Sequence, residues 1–251
     1  MERKHWKRSY SYFPQFVCPR CHKGNLTATK DRYKREPKHV TNDLRDHDMQ
    51  GEESEGRFIA LLSCNNRLCG EIVAVAGDYV SHATIDKGPD GGLEQFWDDT
   101  FRPTSMHPAP SIITWPKSLD ELPKMHLMVS FELFWVDAAA CASRLRIFIE
   151  TLLDQLGVGR EGIKRNGKKG MLDLSERIDE LDKVKPGHKS ALDALRHVGN
   201  FGSHEGEPDF EDLVVCYDIL ETTLVELIED KRAKLDAEIA AIIDRKGKPR
   251  S

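Results

Sequence analysis

The chain has 251 residues, of which 39% are hydrophobic and 31% are charged, and its mean hydropathy is -0.53. This balance is typical of a soluble globular protein and argues against both a membrane protein and a wholly disordered chain. In addition, no apolar run approaches the roughly 18 residues that span a bilayer. The basic N-terminus lacks the apolar core and cleavage site of a secretory signal. We therefore expect a cytoplasmic protein of one or two domains.

The net charge of -5 is distributed unevenly along the chain. Residues 1–40 hold eleven Lys or Arg and three acidic residues, a net charge of +8 that leaves -13 for the remainder. Aromatic side chains lie among these cations: Trp6, Tyr10, Tyr12, Phe13, Phe16 and Tyr33. Such a basic arm is suited to nucleic acid, since cations contact phosphates and rings stack on bases. The alternative is a surface segment whose rings pack on a neighbouring domain.

Four of the six cysteines form two closely spaced pairs. Cys18 and Cys21 are separated by two residues, Cys64 and Cys69 by four, and a glycine follows each pair. In a reducing compartment such pairs are typical of zinc ligands, because four thiolates complete a tetrahedral site. We predict a structural zinc ion, without the open position of a catalytic site, in a zinc-ribbon-like domain over residues 1–85. The alternative is that these cysteines bind no metal.

Between the two cysteine pairs lie 42 residues, against about 15–20 in a compact zinc ribbon. The polar stretch 31–57 therefore predicts an insertion at the tip of the ribbon. Apolar runs at 58–63 and 71–77 predict strands of a small antiparallel sheet. Residues 86–123 are rich in proline and glycine and predict a linker in extended form.

From residue 124 onwards the apolar residues recur at helical spacing. The pattern predicts a long first helix that ends at Gly157, a second helix at 174–184, a third at 191–198 and a long fourth that begins near Pro208 and continues to about residue 243. Cys141 and Cys216 fall on the apolar faces of the first and last helices, which indicates core thiols.

Four helices within residues 124–245 predict a helical bundle. A basic, glycine-rich loop at 159–170 separates the first two helices, and residues 246–251 form a basic tail. The predicted fold class is α+β, mainly α, with a small zinc-ribbon domain followed by a bundle of about four helices.

The segment between the third and fourth predicted helices has an unusual composition. Gly199 and Gly202 would each cost about 1 kcal/mol inside a helix, which indicates either a close backbone approach or a broken helix. Arg196, Asn200 and His204 would project from such a helix end.

Two segments, residues 146–157 and 195–204, resemble the domain of unknown function DUF4145. That helical domain occurs in restriction and phage-defence proteins, often behind a zinc ribbon, and is similar to the HEPN superfamily (higher eukaryotes and prokaryotes nucleotide-binding). The resemblance covers the C-terminal half and its proline-rich lead-in. It implies a HEPN-like bundle that often forms a homodimer and, in active members, cleaves RNA without a metal ion.

The same resemblance implies roles for three residues. His204 would act as general acid or base, Arg196 would neutralise charge on the phosphorane, and Asn200 would orient the phosphate. Seven residues separate Arg196 from His204, where active members have four to six. The structural alternative is that Asn200 and His204 bond to free backbone groups and Arg196 pairs with an acid such as Glu150.

These observations lead to two hypotheses about function. In the first, the protein belongs to a prokaryotic defence or regulatory system, its zinc ribbon docks RNA or DNA, and its bundle dimerises as a metal-independent ribonuclease. In the second, the protein is a non-catalytic scaffold whose two domains each hold a protein partner.

Overall fold

The computed structural model describes residues 1–38, 53–87, 89, 91–204 and 208–246. The chain divides into two compact units. The first comprises Glu2–Ser111 together with Phe131–Asp137, and the second comprises Met1, Ile112–Ser130 and Ala138–Ser251. A β-sheet organises the first unit and α-helices organise the second.

The sheet of the first unit has four antiparallel strands in chain order: β1 (Leu26–Pro37), β2 (Glu53–Cys64), β3 (Ile72–Lys87) and β4 (Leu93–His107). In β2, and in β3 as far as Ser81, every second side chain is buried, as expected for a sheet with one face on a core. Phe58 of β2 and Val75 of β3 are both 2% exposed, whereas Ile59, the residue after Phe58, is 59% exposed. We call the buried side the inner face. The two apolar runs are confirmed as antiparallel strands.

The predicted small zinc-ribbon domain is wrong in its size. The strands are 12, 12, 16 and 15 residues long, and β1 and β2 take up both ends of the polar stretch 31–57 that was predicted as an insertion. The middle of that stretch, residues 39–52, lies outside the described residues.

Strand β4 lies within the segment that the sequence predicts to be a linker. It pairs with β3 from Ala74 opposite His107 to Lys87 opposite Leu93. Pro103 is accommodated because it sits opposite Gly77, where the register of the two strands shifts. A Cβ atom on Gly77 would lie 2.2 Å from the carbonyl oxygen of Arg102, so glycine permits this close approach.

Aromatic side chains of the N-terminal segment belong to the core of the first unit. Trp6, Tyr10 and Phe16 are 6%, 6% and 1% exposed, and their rings lie 6.0, 6.4 and 5.9 Å from that of Trp135. Tyr10 and Phe101 exchange two backbone hydrogen bonds of 2.8 Å. The packing interpretation is therefore confirmed for these three rings, while Tyr12 is 90% exposed.

The described residues contain six α-helices: α1 (Glu121–Val136), α2 (Ala138–Gln155), α3 (Leu174–Val184), α4 (Lys189–His204), α5 (Phe210–Glu229) and α6 (Lys231–Asp244). About 43% of these residues are helical and about 27% are in strands, so the predicted mainly α fold with about four helices is wrong. The predicted first and last helices each divide at an aspartate. Asp137 separates α1 from α2, and Asp230 adopts a left-handed conformation between α5 and α6. Aspartate is a poor residue inside a helix because its carboxylate competes for backbone groups.

Other helix boundaries agree with the sequence. Gly157 has φ +77° after α2, and the N–H of Val158 donates to the carbonyl of Leu153 over 2.9 Å. Asp209 caps α5 by accepting from the N–H of Glu211. The predicted loop 159–170 instead contains a hairpin, with β5 (Glu161–Ile163) paired to β6 (Lys169–Met171).

Both predicted core thiols of the second unit are buried, since Cys141 and Cys216 are 0% and 3% exposed. The Tyr217 hydroxyl donates to Ser130 Oγ over 2.9 Å and lies 3.2 Å from Cys141 Sγ. Burial raises the pKa of Cys216 to about 12, so this thiol is neutral at physiological pH.

None of the described helices has the length and apolarity that crossing a bilayer requires.

Candidate functional site

The four paired cysteines meet at one end of the sheet. The first knuckle, residues 18–24, leads directly into β1, and the second knuckle, residues 64–70, connects β2 to β3. Leu26 pairs with Cys64 in the β1–β2 register, which brings the two knuckles side by side. The sheet therefore fixes the separation of two cysteine pairs that are distant in sequence.

Backbone hydrogen bonds give each knuckle its shape. In the first, the N–H of Cys18 donates to the Gly24 carbonyl over 2.8 Å and the N–H of His22 donates to the Cys18 carbonyl over 3.1 Å. In the second, the N–H groups of Cys69 and Gly70 donate to the carbonyl of Asn66 over 2.9 and 3.1 Å. These backbone hydrogen bonds close each knuckle.

The four sulfur atoms have the spacing of a tetrahedral thiolate site. All lie within 4.8 Å of one another, and two pairs, Cys18 with Cys69 and Cys21 with Cys64, are 3.7 Å apart. A tetrahedron with metal–sulfur bonds of about 2.3 Å has sulfur–sulfur edges of about 3.8 Å. The predicted ligand set is therefore assembled, and it can hold a metal ion.

Backbone N–H groups point at the sulfur atoms. Gly24 N–H lies 3.4 Å from Cys21 Sγ, and Asn66 N–H lies 3.4 Å from Cys64 Sγ. Hydrogen bonds from the Lys23 and Gly24 backbone lower the pKa of Cys21 to about 6, which favours the thiolate. Burial has the opposite effect on Cys18 and raises its pKa to about 12. A cation among these sulfurs would compensate for that burial.

Gly24 has no room for a side chain. A Cβ atom there would lie 2.5 Å from Cys64 Sγ and 2.8 Å from Asn66 Cβ, so the two knuckles can approach only across a glycine. Asn65 then joins them, because its side-chain oxygen accepts from the N–H of Asn25 over 2.9 Å. The sequence shows a glycine after each cysteine pair, but the role of Gly24 in the packing of the knuckles is visible only in three dimensions.

The segment with two glycines lies inside a continuous helix, α4, so the predicted break is wrong. The alternative of a close approach is correct at Gly199, where a Cβ atom would lie 2.8 Å from Arg146 Cβ and 3.0 Å from the Ala142 carbonyl oxygen of α2. Packing of α4 on α2 therefore explains why glycine is present at this position.

The predicted catalytic residues follow one side of α4. Arg196 and His204 are eight residues apart, which is about 12 Å along a helix axis. Arg196 Nε donates to Asp193 Oδ1 over 3.0 Å, and Arg196 Nη2 lies 2.9 Å from His197 Nε2. The acid paired with Arg196 is therefore Asp193 and not Glu150, whose carboxylate lies 3.4 Å from Nη2 of Arg146. Asn200 is half-buried, and the side chain of His204 lies outside the described part of the chain.

A second polar cluster, which sequence reasoning missed, lies on the inner face of the sheet far from the knuckles. Arg35 of β1 forms an ion pair with Asp99 of β4, and the hydroxyl of Ser81 donates to the same carboxylate. The guanidinium of Arg35 stands 5.4 Å above the centre of the Tyr79 ring. The signal was the alternation of Tyr33 and Arg35 along β1, which places both on one face.

Comparisons with known proteins identify two families of domains. Residues 7–106 match the model of a Domain of unknown function (DUF8608), and residues 130–245 match that of a Domain of unknown function (DUF4145). No curated protein and no solved structure matches the chain. The second match confirms the resemblance noted in the sequence. Over residues 130–245 the chain is therefore similar to DUF4145 domains.

Proposed function

We propose that the protein binds nucleic acid through a surface that a zinc ion holds in place. The observation that carries the proposal is the exposed positive charge of the two knuckles. Arg20, Lys23 and Arg67 are all exposed beside the cysteine cluster. Arg20 forms an ion pair with Glu71, in which Nε lies 3.9 Å from Oε2. Within the described residues, no carboxylate forms an ion pair with Lys23 or Arg67.

Zinc is the metal that suits these ligands best. Four thiolates are soft ligands, and tetrahedral sulfur sites of this kind take zinc or iron–sulfur clusters. With all four positions taken by sulfur, the ion has no place for water or substrate, so its role is structural. The knuckle cations then contact phosphates from a rigid support.

The DUF4145 domain supports placing the protein in a prokaryotic defence or regulatory system, because the resemblance implies that context. The burial of Trp6, Tyr10 and Phe16 argues against base stacking by these rings. We therefore assign the phosphate contacts to the knuckles and a structural role in the core to these three rings. The protein-scaffold alternative requires binding that does not depend on phosphate.

Titration of labelled single-stranded RNA and duplex DNA at several salt concentrations tests the proposal. We expect the affinity to fall steeply with salt, since contacts with phosphates release counterions. The triple variant Arg20→Glu, Lys23→Glu and Arg67→Glu should lose most of this affinity. The triple variant Lys231→Glu, Arg232→Glu and Lys234→Glu, which makes the same change of charge on exposed residues of α6, should keep it. Equal loss in both variants, or affinity that ignores salt, would refute the proposal.

Ribonuclease activity is a second candidate function. It is favoured by one observation, the placement of Arg196, Asn200 and His204 on one side of the continuous helix α4. Arg196 and His204 are about 12 Å apart along the helix axis. The resemblance implies that the Arg and His of active members meet across a dimer axis, so this candidate places Arg196 of one copy beside His204 of another. The candidate thus requires a homodimer.

Incubation of the protein with structured RNA, without added divalent metal, tests this candidate. Cleavage that yields cyclic phosphate ends and disappears in Arg196→Ala and in His204→Ala would support it. His188→Ala, a histidine just before α4, is the matched control. Absence of cleavage by a wild-type protein shown to be dimeric by sedimentation would reject it.

A further inference from the structure

The β3–β4 hairpin extends past the end of β2 as a two-stranded arm. We define the arm as residues 82–87 of β3 and 93–98 of β4, which pair from His82 opposite Asp98 to Lys87 opposite Leu93. The last described pairing of β2 with β3 joins Glu53 to His82. Apart from the half-buried Ala83, every residue of the arm is exposed. The arm therefore offers two open faces.

The two faces of the arm differ in charge. Paired residues share a face and faces alternate along a strand, so Ile85, Lys87, Leu93, Gln95 and Trp97 continue the inner face of the sheet. The acidic residues Asp86, Glu94 and Asp98 all lie on the opposite face. The inner face of the arm thus has one cation and no acid, beside large apolar side chains.

Trp97 is the aromatic group of this inner face. Its side chain is 47% exposed, whereas Trp6 and Trp135 are 6% and 7% exposed. Ile85, 73% exposed, and Leu93, 78% exposed, lie on the same face. An exposed indole on a paired strand can stack on a planar ring.

Hydrogen-bonding groups lie on the same face as this indole. Asp99 is two residues from Trp97 and therefore on the same face, and it accepts from Arg35 and Ser81. Arg35 is 41% exposed and makes its described bonds through Nη1 alone, including one of 3.2 Å to Ser81 Oγ. In the described part of the chain the buried hydroxyl of Tyr33 has no hydrogen-bond partner. The N–H donors of the Arg35 guanidinium and the carboxylate acceptor of Asp99 thus lie on the same face as the exposed ring of Trp97.

We propose that this inner face binds an unpaired nucleobase, stacked on Trp97, with the base edge bonded to Arg35 and Asp99. The inference rests on the proposed nucleic-acid function and names the strand-recognition site of the same unit. Charge favours nucleic acid over a protein segment, because a phosphate backbone can pass Lys87 while the acidic residues of the arm, Asp86, Glu94 and Asp98, face away. Asp99, on the inner face, is paired with Arg35. The donor and acceptor pair matches a base edge, which carries both kinds of group.

The test compares two single-stranded oligonucleotides of equal length, one with bases and one abasic. We expect the wild type to bind the base-containing strand about tenfold more tightly, as one stacked base predicts. Trp97→Ala should abolish that preference and Trp97→Phe should retain most of it. Phe96→Ala is the matched control, since Phe96 is an adjacent aromatic residue, 40% exposed, on the opposite face.

The outcomes separate this inference from the proposed function. If the wild type binds both strands in a salt-dependent manner without preferring bases, the base site is wrong and the knuckle surface stands. If it binds neither strand, the proposed function fails as well. The inference is also overturned if Trp97→Ala still prefers the base-containing strand, or if Phe96→Ala loses this preference to the same extent. The inner face of the arm would then be a candidate surface for a protein partner.

Discussion

Arg35 and Asp99 form an ion pair although they belong to the first and last strands of the four-stranded sheet. Two strands, β2 and β3, separate them in the sheet order. In a flat sheet strands three positions apart would be about 14 Å from each other, so the pair requires a strongly curled sheet. The curl makes the inner face concave and brings β1 and β4 to the same polar cluster.

Replacement of Asp99 by asparagine should lower the free energy of unfolding by about 1–2 kcal/mol, because a charged hydrogen-bond acceptor is lost. Ser81, which is 4% exposed, would then have a weaker acceptor. Denaturant titration measures the change. Asp98→Asn, on the exposed outer face, is the control and should remain within about 0.5 kcal/mol of the wild type. Equal effects in both variants would show that the ion pair contributes nothing.

Gly24→Ala should weaken metal binding by on the order of tenfold, because the new methyl group would displace Cys64 Sγ or the neighbouring Asn66. Competition with a chromogenic zinc chelator measures the affinity. Gly170→Ala is the matched control, since a Cβ atom there meets only Lys164 Cδ at 3.5 Å. Unchanged affinity in Gly24→Ala would mean that the knuckles do not need this close approach.

Gly199→Ala distinguishes helix propensity from packing. Propensity alone predicts that alanine stabilises α4 by about 1 kcal/mol. Steric conflict with Arg146 and the Ala142 carbonyl predicts the opposite sign, a net loss of about 1–2 kcal/mol. Thermal unfolding followed by circular dichroism gives the sign. A variant more stable than the wild type would refute the packing explanation.

Asp154 should contribute stability that disappears in acid. Hydrogen bonds from Arg160, supported by the charge of Arg177, hold the pKa of Asp154 below its ordinary value of 3.8. A lowered folded-state pKa adds stability above the unfolded-state pKa, and this contribution is lost as the pH falls through the folded-state value. When the pH falls from about 5 to about 3 and below, the free energy of unfolding of the wild type should therefore decrease more than that of Asp154→Asn. Parallel pH profiles of the two proteins would contradict this assignment.

The cluster of four cysteines could be predicted from sequence because the information is local. The spacing within each cysteine pair and the glycine that follows it are properties of short segments. The helix that ends at Gly157 and the core thiols Cys141 and Cys216 were predictable for the same reason, since each depends on helical periodicity or on one turn. These features needed no knowledge of the partner elements.

The features that were missed depend on tertiary structure. Strand β4 resembles a linker in sequence, and only its pairing with β3 shows why Pro103 is tolerated opposite Gly77. The continuity of α4 through Gly199 depends on the proximity of α2, which no local pattern reports. The left-handed Asp230 likewise divides two helices whose apolar pattern runs on without interruption.

Metal analysis of purified protein from zinc-supplemented cells tests the proposal that Cys18, Cys21, Cys64 and Cys69 hold one zinc ion. We expect about one zinc per chain in the wild type, loss of the metal in the Cys18→Ser, Cys21→Ser double variant, and retention in Cys141→Ala, whose thiol lies in the helical core. A folded wild type without zinc, or a double variant that keeps the metal, would contradict it.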